Sequence, residues 1–209
     1  MIIDISLPLS PNMPAWPGSQ GFQQTWIKRL ESKDNVNESK ICCNMHTGTH
    51  IDAPLHHISS GKSVDQLNLA NFFGPAYVID LTGVNEITSH DLIHSNIPLG
   101  TQRLLFKTNN SGCWHTLGAK FNENFVALTD SAAEWIVENN ILLVGIDYLS
   151  IEKYNAGSTV HKRMLIADII ILEGLNLNSV KEGSYLLNCL PMNIVGAEGA
   201  PARAILIKN

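Results

Sequence analysis

The sequence predicts a single α/β domain with a mixed sheet, spanning residues 1–209. Three observations carry this. The chain's 209 residues are 44% hydrophobic, enough for one core and short of the length at which chains usually divide. Short apolar runs, many of them β-branched, outnumber the helical stretches. Several of those runs follow one another with no helix between them, which a strictly alternating parallel sheet does not allow.

The runs at 2–7, 77–81, 104–106, 142–146, 169–172, 185–190 and 204–207 are too short for helices and read as strands. Residues 131–139 form the clearest amphipathic stretch. There Ser131 and Glu134 stand at capping-box spacing, and Asn139-Asn140 offers a stop. A second helix is expected after Thr88, with Asp91 three residues on. Residues 10–21 contain Pro11, Pro14, Pro17 and Gly18 and predict an ordered surface loop.

Composition narrows the function. A formal charge of −5 and scattered lysines and arginines give no surface for phosphate neutralisation, so nucleic acid is not an expected partner. No apolar run approaches the roughly 18 residues of a bilayer span, and the amino terminus has no basic region before its apolar residues. No membrane association is expected, and the reading is a cytoplasmic protein. Cys42, Cys43, Cys113 and Cys189 lack C-x-x-C spacing and read as free thiols.

The densest chemistry lies in MHTGTHIDAPLHH, where His46, His50, Asp52 and His56 fall within eleven residues. His46 and His50 have the spacing of a helical zinc motif, but Gly48, Thr49 and Pro54 oppose a helix. In an extended segment His50 and Asp52 point to the same side, and a bend at Gly48 brings His46 to them. Three ligands with nitrogen and oxygen donors leave a coordination position open, the pattern of catalytic zinc rather than of closed structural sites. Downstream, His161 precedes a helical turn and Glu173 ends a buried-looking strand. Alone, each is better explained by a surface position.

Together these segments resemble the cyclase family of metal-dependent hydrolases, and more narrowly the bacterial kynurenine formamidases, or arylformamidases. The resemblance is carried by DISLPLSPNMPAWPG, FQQTW, HTGTHIDAPLH, LLVGIDYLS, ILEGLNL and PARAIL. It implies a swivelling β/β/α fold assembled as a homodimer or higher homo-oligomer. It implies two divalent ions, zinc favoured over manganese. His46, His50 and Asp52 would hold one, Asp52, His161 and Glu173 the other, with Asp52 as the bridge. His56 matches the catalytic proton donor and acceptor, and Trp16 a tryptophan lining the substrate pocket.

Two departures stand out: His57 replaces the aromatic residue usual after the catalytic histidine, and Ile151-Glu152 replaces the usual Asp-Pro. The implied reaction is hydrolysis of the formamide of N-formyl-L-kynurenine, with Gln23, Gln24, His57 and Arg203 as candidate partners for the substrate's charged tail. The alternatives are an isatin hydrolase-like enzyme opening a cyclic amide and, from another class, a non-catalytic metal-binding homologue. An exposed Trp16 in the proline-rich loop gives a further reason to expect a covering subunit.

Overall fold

A computed structural model describes residues 1–115 and 120–208. The chain opens with β1 (Ile2–Asp4), then a separate hairpin of β2 (Gln23–Lys28) and β3 (Glu38–Cys42), then β4 (His50–Asp52). Three helices follow, each between two strands: β5 (Phe73–Asp80), α1 (Ser89–Ile93), β6 (Arg103–Lys107), α2 (Asp130–Glu138), β7 (Leu143–Ile146), α3 (Thr159–Ile166) and β8 (Ile170–Glu173). The chain closes with β9 (Gly183–Asn188), β10 (Gly199–Pro201) and β11 (Ile205–Ile207).

Nine strands form one sheet in the order β1-β11-β9-β5-β6-β7-β8-β4-β10. The middle four, β5 to β8, are parallel because each connection carries a helix; every other pairing is antiparallel. Alternation along these strands buries both faces. Leu104, Phe106, Val144, Ile146 and Ile171 pack with the three helices, while Leu105, Leu143, Ile170 and Leu172 join Leu187 and Leu206 on the opposite side.

The sheet has to curl. Strands β10 and β11 lie near opposite ends of the order, which in a flat sheet would separate them by roughly 30 Å or more at 4.8 Å per strand. Yet only three residues join them, a reach of roughly 14 Å. Hydrogen bonds seal the meeting of the two ends: Ala202 N to Thr49 O at 2.9 Å, Ile5 N to Ala204 O at 3.0 Å, and Leu7 N to Thr49 Oγ1 at 2.8 Å. This closure leaves β4 beside β8, where the histidine and carboxylate candidates of the sequence gather.

The α/β class with a mixed sheet stands as expected. The helix after Thr88 forms with a full Thr88–Asp91 capping box. Helix α2 starts one residue earlier than its pattern suggested, because Thr129 and not Ser131 caps it, its Oγ1 accepting from Ala132 N at 3.3 Å. Strand β1 stops at Asp4, since Ile5 and Leu7 leave the ladder for the interior. Strand β5 begins four residues before its apolar run, where Phe73 pairs with Asn188. The hairpin was not foreseen as an element; the helical turn expected after His161 is α3, which starts two residues before that histidine. Residues 10–21 hold neither helix nor strand. No helix among the described residues is long and apolar enough to cross a membrane.

Gly174 follows β8 at φ +71°, its N–H donating to Tyr148 O at 2.7 Å, and a Cβ there would overlap the Gly48 carbonyl. Gly18 has φ +80° with open space around it. Gly174→Ala is therefore expected to lose about 2–4 kcal/mol in urea unfolding, from backbone strain plus overpacking, and Gly18→Ala only about 1–2 kcal/mol. Equal losses would mean that the close approach of the two loops does not matter.

Candidate metal centre

Strand β4 sits between β8 and β10, with His50 opposite Glu173, and Asp52 opposite Ile171 and Gly199. Two-residue spacing puts His50, Asp52 and Glu173 on one face, beyond the carboxyl ends of the parallel strands. Gly48, at φ +67°, turns the chain so that His46 reaches them. Gly199 leaves room for the His46 ring, since a Cβ there would stand 2.8 Å from Cε1. The first turn of α3 adds His161 from the helix side.

The result is two overlapping groups, His46-His50-Asp52 and Asp52-His161-Glu173, each with ligand atoms within 4.8 Å of one another. Asp52 belongs to both. His46 Nδ1 lies 2.8 Å from Asp52 Oδ1. His50 Nε2 lies 3.4 Å from Asp52 Oδ1 and 3.3 Å from Glu173 Oε2. His161 Nε2 lies 3.2 Å from Glu173 Oε1 and 3.7 Å from Asp52 Oδ2. Outer contacts aim the rings: His50 Nδ1 is 2.9 Å from Gly48 O, and His161 Nδ1 is 2.7 Å from Glu152 Oε2.

The donor set fits divalent cations. His46 Nε2, His50 Nε2 and Asp52 Oδ2 are buried with no hydrogen-bond partner among the described residues, so polar atoms converge here without satisfying each other. Electrostatics agree. Burial alone would push His50 and His161 down, but the neighbouring carboxylates outweigh it and raise both to about 10. Burial likewise opposes ionisation of Asp52, but the hydrogen bond from His46 and the nearby His50 imidazole hold it well below the usual range. Glu173 is lowered by His161 and His50, against both burial and repulsion from Asp52. In metal-free protein, protons on imidazole thus balance a negative charge that imidazole and carboxylate ligands present to a cation.

His56, in the 3-10 turn Pro54–His56, stays outside both groups but stacks on His46 with ring centres 3.9 Å apart. Burial holds it below its ordinary value, hence neutral near pH 7. His57 lies 4.7 Å from the His161 ring and is pushed down to about 4 by burial and by His161. A cavity of about 350 Å³ opens over the cluster, lined among others by Trp16, His46, His56, His57, His161 and Glu173. Trp16 forms one wall, packed against Phe121 at 4.9 Å and Tyr154 at 5.3 Å.

Other expectations fare differently. Gln23 and Gln24 stand on the exposed hairpin, and Arg203 pairs with Asp4 away from the cavity. Of the four tail partners only His57 lines the pocket. Trp16 is half-buried by residues of its own chain, which removes the argument for a subunit covering it. Glu198, 3.6 Å from His46 Nε2, was not foreseen at the site; Glu152 was expected close to the pocket but clear of the metal ligands, and instead lies 2.7 Å from His161 Nδ1. Nothing in local spacing points to them, although Glu152 stood out as a departure from the family pattern.

The Cyclase family model matches residues 3–153. Cyclase-like protein 1 of Arabidopsis thaliana is 38% identical over 99% of this chain and 85% of its own. The kynurenine formamidase of Bacillus cereus is 34% identical over 98% and 96%. Among solved structures, a protein of Bacillus stearothermophilus described as a predicted metal-dependent hydrolase is 35% identical with TM-score 0.84, covering 99% of this chain and 97% of its own. Isatin hydrolase A of Ralstonia solanacearum is 26% identical with TM-score 0.84, over 100% and 92%. With a family model matching most of the chain and relatives aligned from end to end, this protein belongs to the cyclase family.

Proposed function

We propose that this cyclase-family hydrolase is an arylformamidase: it uses divalent metal to cleave the formamide of N-formyl-L-kynurenine, releasing formate and L-kynurenine. The observation carrying this is Asp52, shared by two ligand groups beneath a cavity faced by His56 and Trp16. The likeness to a kynurenine formamidase along nearly the whole of both chains supports the substrate.

On this reading His46, His50 and Asp52 hold one ion and Asp52, His161 and Glu173 a second, with zinc favoured and manganese compatible. Two such ions supply an acidified water and a polarised carbonyl, the two things that amide hydrolysis at neutral pH lacks. The protein does the rest. Trp16 stacks on the aryl ring and sets the formyl carbon over the cluster. His56, neutral and outside the ligand groups, takes the proton released as water adds to that carbon. It returns the proton to the anilide nitrogen as the C–N bond breaks. His57, Ser19, Asn44 and Asn155 offer polar contacts to the amino-acid tail.

Isatin hydrolysis is the second reading, favoured by the matching fold of isatin hydrolase A and by the same stacking wall at Trp16. A homodimer is part of the proposal on different ground from Trp16: a two-stranded hairpin is marginal alone, and here Trp26, Ile27 and Ile41 are all exposed on it. Light scattering at micromolar concentration is expected to show a dimer or larger assembly; a monomer would contradict this.

Elemental analysis tests the ligand roles. Asp52→Ala is expected to lose metal from both sites, His161→Ala from one, and His56→Ala from neither while kcat falls by about 10²–10⁴. Full metal content in Asp52→Ala would refute the bridge, and metal loss in His56→Ala would make His56 a ligand. For the substrate, kcat/KM on one zinc-loaded preparation is expected to fall from N-formyl-L-kynurenine to formylaniline to isatin. A higher value for isatin would overturn the formamidase reading and keep the hydrolase. No turnover of any amide by fully metallated protein would favour a non-catalytic homologue.

A further inference from the structure

Glu152 is 3% exposed and lies on the segment between β7 and α3. Its Oε2 accepts from His161 N at 3.2 Å and stands 2.7 Å from His161 Nδ1, while Oε1 accepts from Val160 N at 3.2 Å. Helix α3 needs those acceptors. Its N-cap residue, Ser158, has φ +74° and gives no side-chain cap, so two of the first amide groups would otherwise be orphaned.

A carboxylate only accepts, so the atom of His161 facing it must donate. Nδ1 therefore carries a proton; without an ion Nε2 carries one as well, facing Glu173 Oε1 at 3.2 Å, and it is the Nε2 proton that an ion would replace, leaving that lone pair towards Asp52 and Glu173. We propose that Glu152 is the positioning residue of the second ion site, fixing both the tautomer and the aim of His161; this rests on the reading that Asp52, His161 and Glu173 hold an ion. The first site is built differently, since His50 receives its orientation from the neutral carbonyl of Gly48. An anionic acceptor makes the His161 imidazole the more basic ligand. One Glu152 carboxylate spans the helix start and the imidazole at once.

The test is a two-step zinc titration of the full chain against a competing chelator, read alongside the exchangeable imidazole protons of the loaded protein by NMR. Glu152→Ala is expected to weaken the second step by about 10–100-fold, leave the first within about threefold, and lose the hydrogen-bonded Nδ1 proton signal of His161. Glu152→Gln retains an oxygen for His161 but not the contact to Val160, so it is expected to keep that signal and recover most of the affinity. A second step in Glu152→Ala within threefold of wild type would overturn the proposal. So would Glu152→Gln no better than Glu152→Ala, which would leave helix capping as the sole role. Should Glu152→Ala fail to fold, loss of the Nδ1 signal in Glu152→Gln would overturn it. Uptake of a single ion by the wild type would instead defeat the two-ion reading on which the proposal rests.

Discussion

Asp52 and Glu173 are buried side by side, 1% and 3% exposed, at the seam between β4 and β8. Two carboxylates removed from water at such proximity repel each other and cannot both stay ionised without positive charge close by. The architecture around them follows from supplying it. Imidazoles arrive from three directions: His50 along the same strand, His46 across the bend at Gly48, and His161 from the start of α3. Even so, His46 Nε2, His50 Nε2 and Asp52 Oδ2 have no hydrogen-bond partner among the described residues, which leaves the interior arrangement incomplete as a set of hydrogen bonds.

Closure of the sheet makes this seam. The short passage from β10 to β11 draws the two edges of nine strands together, and β4 is held between β8 and β10 with its polar residues facing the helix side. Space is found by leaving side chains out. Gly174 lets the loop after β8 lie against the Gly48 carbonyl, and Gly199 makes room for the His46 ring. These glycines sit next to the ligands because crowded backbone and convergent side chains compete for the same volume.

Much of this was legible in the sequence where a residue's neighbours in the chain are its neighbours in space. Apolar runs marked seven of the strands, because burial on both faces leaves little room for polar residues there. Period-two spacing put His50 and Asp52 together, and Thr88 with Asp91 announced α1. What was missed depends on distant partners. The hairpin 23–28/38–42 has no apolar alternation, and all eleven of its strand residues are exposed. Only a turn after His161 was visible of α3, because the helix starts without a side-chain cap from Ser158 and its usual start signal is absent. Gln23, Gln24 and Arg203 were candidates by chemistry alone, and chemistry without position could not exclude the hairpin or the Asp4 pair. Glu152 and Glu198 approach His161 and His46 from nine residues and far more away, a relation no local pattern encodes.

The central claim is that these five side chains form a two-ion centre bridged by Asp52. Crystals of zinc-loaded protein, measured on either side of the zinc absorption edge, test it most directly. The account predicts two anomalous peaks, one within ligand distance of His46, His50 and Asp52, the other of Asp52, His161 and Glu173. A single peak, or peaks that do not share Asp52, would contradict it.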